Sequence, residues 1–190
     1  QNEEIFPGVQ WGNMDAFFTP AFWAARAWIH EVYGEEWSFT HYKIGSTFQE
    51  EVVACLLGGH GITAEMALAA FDQLKNDGML CGTPTKDEIA LALRKPLQVG
   101  QKIIHYRFPN RRAEFIASAL EKLHSTSVLP QGGRAMREFL MAFDGIGPKT
   151  ASWIVRNWLD ADDVAIIDIH VQRACVLAKV FSHDLTPARH

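Results

Sequence analysis

One tight turn between two helical runs constrains this chain more than any other stretch. Residues 144–173 read DGIGPKTASWIVRNWLDADDVAIIDIHVQR. Gly145-Ile146-Gly147 supplies the turn, and Pro148 follows where a helix would begin. Proline suits the first helical position, because its missing N–H has no partner there and its φ is already helical. Ala151, Ile154, Val155, Trp158 and Leu159 then recur at helical spacing, as Met136, Phe139, Leu140 and Phe143 do before the turn. The spacing predicts helix, Gly-x-Gly hairpin, helix over about 134–159.

Physics gives such a unit a use. Two glycines let the backbone turn sharply and approach a ligand closely. The first N–H groups of the second helix lack intrahelical partners, and the helix dipole favours an anion there. A phosphate is the natural guest. Lys149 sits in that first turn, where a cation costs a little helix stability, so its purpose lies elsewhere. Nineteen positions on (168 − 149), the apolar run Val164–Ile167 ends in Asp168.

GIGPKTAS followed by AIIDIHVQR resembles the helix-hairpin-helix DNA glycosylase superfamily, which removes damaged bases from DNA. Its motif is a Gly-x-Gly hairpin, a lysine two residues later in lyase-active members, and an aspartate further on. Lys149 and Asp168 match. TFQEEVVACLLGGHGITAEMALAAF and YRFPNRRAEFI look like the archaeal-type 8-oxoguanine branch, which is small and all-helical. The resemblance spans roughly 40–185. GPKTASW and DIHVQR read as much like endonuclease III, so two substrate classes stay open: 8-oxoguanine and oxidised pyrimidines. A third reading is a helix-hairpin-helix DNA-binding module without catalysis. The presence of both Lys149 and Asp168 speaks against it.

The resemblance implies roles. Lys149 is the candidate nucleophile. An amine can attack the sugar C1′, expel the base and form a Schiff base that then undergoes β-elimination. It must be neutral to attack, which desolvation or a nearby cation favours. The alternative is a solvated lysine touching phosphate. Asp168 is the candidate acidic partner, stabilising an oxocarbenium-like sugar or shuttling a proton. The alternative is an N-cap for the last helix, and one residue can do both. Trp153, one helical turn after Lys149, either packs against the extruded base or belongs to the core. His170 either contacts a phosphate or is a surface histidine, and Arg173 is structural or a phosphate contact.

His60, in GGHG, is a candidate wedge for the hole left by the base, or else an exposed loop histidine. Lys102, His105, Arg107, Arg111 and Arg112 gather around Tyr106 and Phe108. They either track phosphates and face the orphaned base or form a solvated face. Gly145 and Gly147, with His170, His60, Arg111 and Arg112, are the expected DNA-binding set. Double-stranded DNA carrying a damaged base is the expected partner of a monomer.

Composition bounds the rest. With 190 residues, 48% of them hydrophobic, the chain can bury a sizeable core. A net charge of −4 argues against nonspecific coating of DNA but allows a local basic face. Three widely spaced cysteines give no disulfide framework and no zinc spacing. Enzymes similar to endonuclease III carry four cysteines for an iron–sulfur cluster after this region. Here only Cys175 lies there, so no cluster, protein-bound metal or redox cofactor is expected. A monovalent cation on the hairpin carbonyls is implied by the resemblance alone. No apolar run approaches the roughly 18–20 residues of a membrane span, so an intracellular location and no membrane partner are expected.

The fold expectation is all-α, a two-lobed helical bundle with a cleft between the lobes, forming one DNA glycosylase domain over 1–190. Its catalytic aspartate region is 164–173. Residues 1–13 read as an arm, Asp15–Tyr33 as a helix, and Thr47, Thr63, Thr85 and Asn110 as helix caps. Thr47–Glu50 and Thr85–Glu88 look like capping boxes. Val99–Phe108 is read as a short helix, and no stretch as a strand.

Overall fold

The computed structural model describes residues 1–33 and 43–182, the Phe6 side chain excepted. The margins of the resemblance, 40–42 and 183–185, lie outside the described residues apart from their immediate flanks. The chain divides into two compact units, Gln1–Thr40 with Ile167–His190, and His41–Ile166.

The first unit begins with a small antiparallel hairpin, β1 (Glu4–Phe6) and β2 (Val9–Gln10), where an arm without structure was expected. Gly8, at φ +78°, makes its turn. Trp11 N–H donates to the Glu3 carbonyl at 2.7 Å and prolongs the pairing. Helix α1 (Pro20–Tyr33) starts later than the apolar spacing suggests, because Phe18 at φ 67° breaks any helix before it. Thr19 Oγ1 accepts the Phe22 N–H at 3.1 Å and caps the new start.

The second unit holds the large core. Helix α2 (Phe48–Leu57) runs through its middle with Val52, Val53, Leu56 and Leu57 fully buried. Helices α3 (Ala64–Asn76), α4 (Lys86–Arg94), α5 (Pro109–Ser125), α6 (Gly133–Met141) and α7 (Pro148–Leu159) build the rest. α2 packs against α3, α5 and α7, α4 lies on α5, and α6 pairs with α7. Thr63 and Thr85 cap α3 and α4, the latter with a full capping box. At α2 only half of the box forms. Thr47 Oγ1 accepts the Glu50 N–H at 3.2 Å, but the Glu50 carboxylate reaches the Ser46 N–H at 2.7 Å instead of Thr47.

Two other expectations are corrected here. Val99–Phe108 is not helical. β3 (Leu97–Val99) and β4 (Lys102–Ile104) pair in register Leu97↔Ile104, Gln98↔Ile103, Val99↔Lys102. Gly100 at φ +58° turns the chain between them, and the β-branched Val99, Ile103 and Ile104 suit a strand. Asn110 does not cap α5. Phe108 takes the cap position with Pro109 at the first helical residue, and Asn110 Oδ1 accepts from the Arg94 guanidinium.

Helix α8 (Ile169–Leu177) belongs with the first unit. Among the described residues eight helices against four strands of two or three residues make the fold all-α in class. Among the described residues no helix is long and apolar enough to cross a membrane.

Candidate DNA-processing site

The hairpin between α6 and α7 is built from its apolar residues. Phe143 and Ile146 are buried and root the turn in the core. Phe143 N–H donates to the Leu140 carbonyl at 3.0 Å, and Ile146 N–H to the Phe143 carbonyl at 3.1 Å. Gly145 lies between them at φ +81°, and a Cβ there would collide with the Phe115 ring of α5. Gly147 differs: at φ −93° it needs no glycine for its backbone, and it holds the N-cap position of α7. It brings no side-chain cap, and the first turn of α7 has no acidic residue. Helix geometry leaves the Lys149 and Thr150 N–H groups aimed out of that end. Such a helix end favours an anion.

Helix α7 is two-faced. Ala151, Ser152, Ile154 and Val155 are buried, while Lys149 and Trp153 stand outside. Trp153 is 43% exposed, which excludes core packing as its main role. The Lys149 ammonium lies 6.0 Å from the Trp153 ring centroid, a loose cation–π pair. Amine and aromatic face are therefore neighbours on one surface.

The supports of this hairpin are the part that sequence reasoning missed. Phe115 lies against Gly145, Ser118 Oγ donates to Asp144 Oδ2 at 3.3 Å, and Lys122 Nζ donates to the Ala142 carbonyl at 3.0 Å. All three come from α5. Arg137 Nε donates to the buried Ser152 Oγ at 2.9 Å and ties α6 to α7. Glu51, fully buried in α2, accepts the Ile44 and Gly45 N–H groups at 2.8 and 2.9 Å and the Asn157 amide of α7 at 3.4 Å. A buried carboxylate is tolerable only with such donors. Its charge, after burial itself, pushes the neighbouring Cys55 thiol up, which leaves that thiol inert near neutral pH. Cys55, Cys81 and Cys175 are all free thiols. Among the described residues no group of three or more His, Cys, Asp and Glu could hold a metal.

The basic run divides once the acceptors are visible. Arg112 Nη2 donates to the Gly58 carbonyl at 2.8 Å, and Arg107 Nη1 to the Gly61 carbonyl at 3.4 Å. Tyr106 is buried and its hydroxyl donates to the Leu57 carbonyl at 2.6 Å. Arg111 is exposed and lies 5.4 Å from the Phe115 ring centroid. Lys102 and His105 are exposed as well. His60 is exposed at the tip of the loop that Arg107 and Arg112 hold.

Asp168 and His170 lie in the other compact unit. Asp168 is the N-cap of α8: its Oδ1 accepts the His170 and Val171 N–H groups, both at 2.9 Å. The cap reading is thus correct, and it holds the carboxylate in one orientation. His170 and Arg173 are exposed on the first turns of α8.

One unit thus presents the hairpin with an amine beside an exposed indole, and the other an aspartate fixed by two N–H groups. A family model described as 8-oxoguanine DNA glycosylase matches residues 35–188. The chain belongs to the 8-oxoguanine DNA glycosylase family. That places it among DNA-repair glycosylases of the helix-hairpin-helix class, on the side of the 8-oxoguanine branch. The crystal structure of Methanocaldococcus jannaschii 8-oxoguanine DNA glycosylase superposes with a TM-score of 0.63 at 24% identity, covering 94% of this chain and 82% of that one. At that identity the likeness speaks for the fold. No curated protein matches the chain.

Proposed function

We propose that residues 1–190 work as one monomeric, bifunctional DNA glycosylase and AP lyase that excises 8-oxoguanine from double-stranded DNA. The observation that carries the lyase half is Lys149, exposed in the first turn of α7 directly behind the Gly-x-Gly hairpin and beside Trp153. In this reading the hairpin N–H groups and Gly147 hold a phosphate of the lesion strand, with Arg111 and His170 as further phosphate contacts. The extruded base stacks on Trp153, whose exposed ring offers a π-face.

The chemistry proceeds in two stages. Lys149 Nζ attacks C1′ through its lone pair. The C1′–N9 bond breaks and the base leaves with its electron pair, to be protonated. Asp168, as a carboxylate, stabilises positive charge on the sugar and takes a proton from the amine. Ring opening gives a protonated imine between Lys149 and C1′. Loss of a C2′ proton then expels the 3′ phosphate, and water releases the enzyme. The hairpin's main-chain carbonyls are hard oxygen donors of the kind a monovalent cation takes. Those of Leu140, Phe143 and Gly147 each accept one hydrogen bond and keep a second lone pair, and no step here is routed through a cation. The reaction calls for no redox cofactor. It takes place wherever the cell keeps duplex DNA, inside it and away from membranes.

The test is single-turnover reaction with duplexes carrying 8-oxoguanine or an oxidised thymine, the products separated with and without alkali. The expected result is faster release of 8-oxoguanine, with strand scission before alkali is added. Faster release of the thymine lesion would assign the site to oxidised pyrimidines. Scission only after alkali would remove the lyase half.

A further inference from the structure

We propose that Tyr106, Arg107 and Arg112 are positioning residues for base extrusion, clamping the Gly58–Gly61 loop so that His60 enters the base stack as a preformed wedge. This rests on the glycosylase reading above, since only an enzyme that extrudes a base needs a wedge.

The three donors come from one short stretch, the passage from β4 into α5. They grip the loop at both ends: Tyr106 on Leu57, Arg112 on Gly58 and Arg107 on Gly61. Ile62 N–H closes the turn on the Gly59 carbonyl at 3.1 Å. Only Gly59 and His60 remain at the tip, and both are exposed. The carbonyls taken by Tyr106 and Arg112 lie at the C-terminal end of α2, where a cation is favoured and orphan acceptors need partners. Burial pushes the Tyr106 hydroxyl up to about 12, with Arg112 pulling against that, so it stays a donor at working pH.

The glycines fit the clamp as well as the turn. Gly59 is at φ +124° and Gly61 at φ +77°. A Cβ on Gly59 would come within 2.8 Å of Arg112 Nη2, and one on Gly61 within 2.5 Å of Arg107 Nη1. Side chains there would drive the guanidinium groups off their carbonyls. The same bonds satisfy the end of α2 and order the loop. A wedge gains from that order: inserting a side chain between stacked bases costs unstacking energy, and a loop already ordered adds no ordering cost to that. The imidazole at the tip is planar, a shape that can stack between base pairs.

Extrusion is read by the fluorescence rise of 2-aminopurine placed beside a paired 8-oxoguanine, independently of cleavage. Tyr106→Phe is expected to slow that rise by roughly 3- to 10-fold, the effect of one hydrogen bond. Arg107→Met, at an exposed position that folding tolerates, is expected to act in the same direction. Neither should slow reaction at a lesion in a bulge, which has no partner to leave. In a His60→Ala background Tyr106→Phe should add nothing, because the clamp acts only through the wedge. Wild-type rates in the clamp variants or in His60→Ala, equal slowing on the bulge, or additive losses in the double variant would each overturn the clamp. If the wild type unstacks the probe without releasing the base and the variants unstack it slowly, the clamp stands and the glycosylase reading fails.

Discussion

Asp168 caps α8, and the proposed reaction gives it a second task that can be separated from the first. Its Oδ1 accepts two N–H groups at the start of α8, and the proposed reaction needs its charge. Asparagine caps a helix about as well as aspartate but carries no charge. Asp168→Asn is therefore expected to keep Tm and duplex affinity while lowering single-turnover excision by about 100-fold or more. Unchanged excision would leave Asp168 as a cap only. Lys149 and Asp168 were singled out in the sequence because the resemblance fixes residue type and order, and the cap role of Asp168 is seen in the fold. The partners of Arg107 and Arg112 were not, because their acceptors are main-chain carbonyls and a sequence displays charges without acceptors. Glu51 was hidden for the opposite reason. It reads as an ordinary acid in the first turn of α2, and only the fold shows that it is fully buried among N–H donors.

At the scale of the element, the hairpin contains two glycines with different jobs. Gly145 is required by the fold, since its φ is +81° and the Phe115 ring fills the space of a side chain. Gly145→Ala should lower stability by about 1–3 kcal/mol, seen as a loss in denaturant midpoint. Gly147 is at φ −93°, which any residue adopts. Gly147→Val should keep most of the stability but weaken binding to duplexes of every sequence alike, because phosphate contacts carry no sequence information. Full affinity in that variant would take the phosphate away from the hairpin. The helices were legible where caps and period agree, as at Thr63, Thr85 and Pro148. The β3–β4 hairpin was not, because its strands are three residues long and too short for a period of two to stand out. Asn110 misled for a simpler reason: Pro109 can start a helix by itself, which freed the amide for Arg94.

For the whole molecule, a net charge of −4 means that DNA is not drawn in by overall charge. In the proposed reading affinity comes from local devices: the N-terminal end of α7, the exposed Arg111 and the loop that presents His60. The family match covers residues 35–188, and the all-α fold agrees with it. Lys149 and Asp168 belong to different compact units. The central claim is that Lys149 forms a covalent imine with the lesion sugar. Borohydride reduction during reaction on an 8-oxoguanine duplex tests it most directly, because it converts that imine to a stable protein–DNA adduct. The wild type should be trapped with the adduct on the peptide containing Lys149, and Lys149→Ala should give no adduct while still binding the duplex. Undiminished trapping in Lys149→Ala would contradict the account.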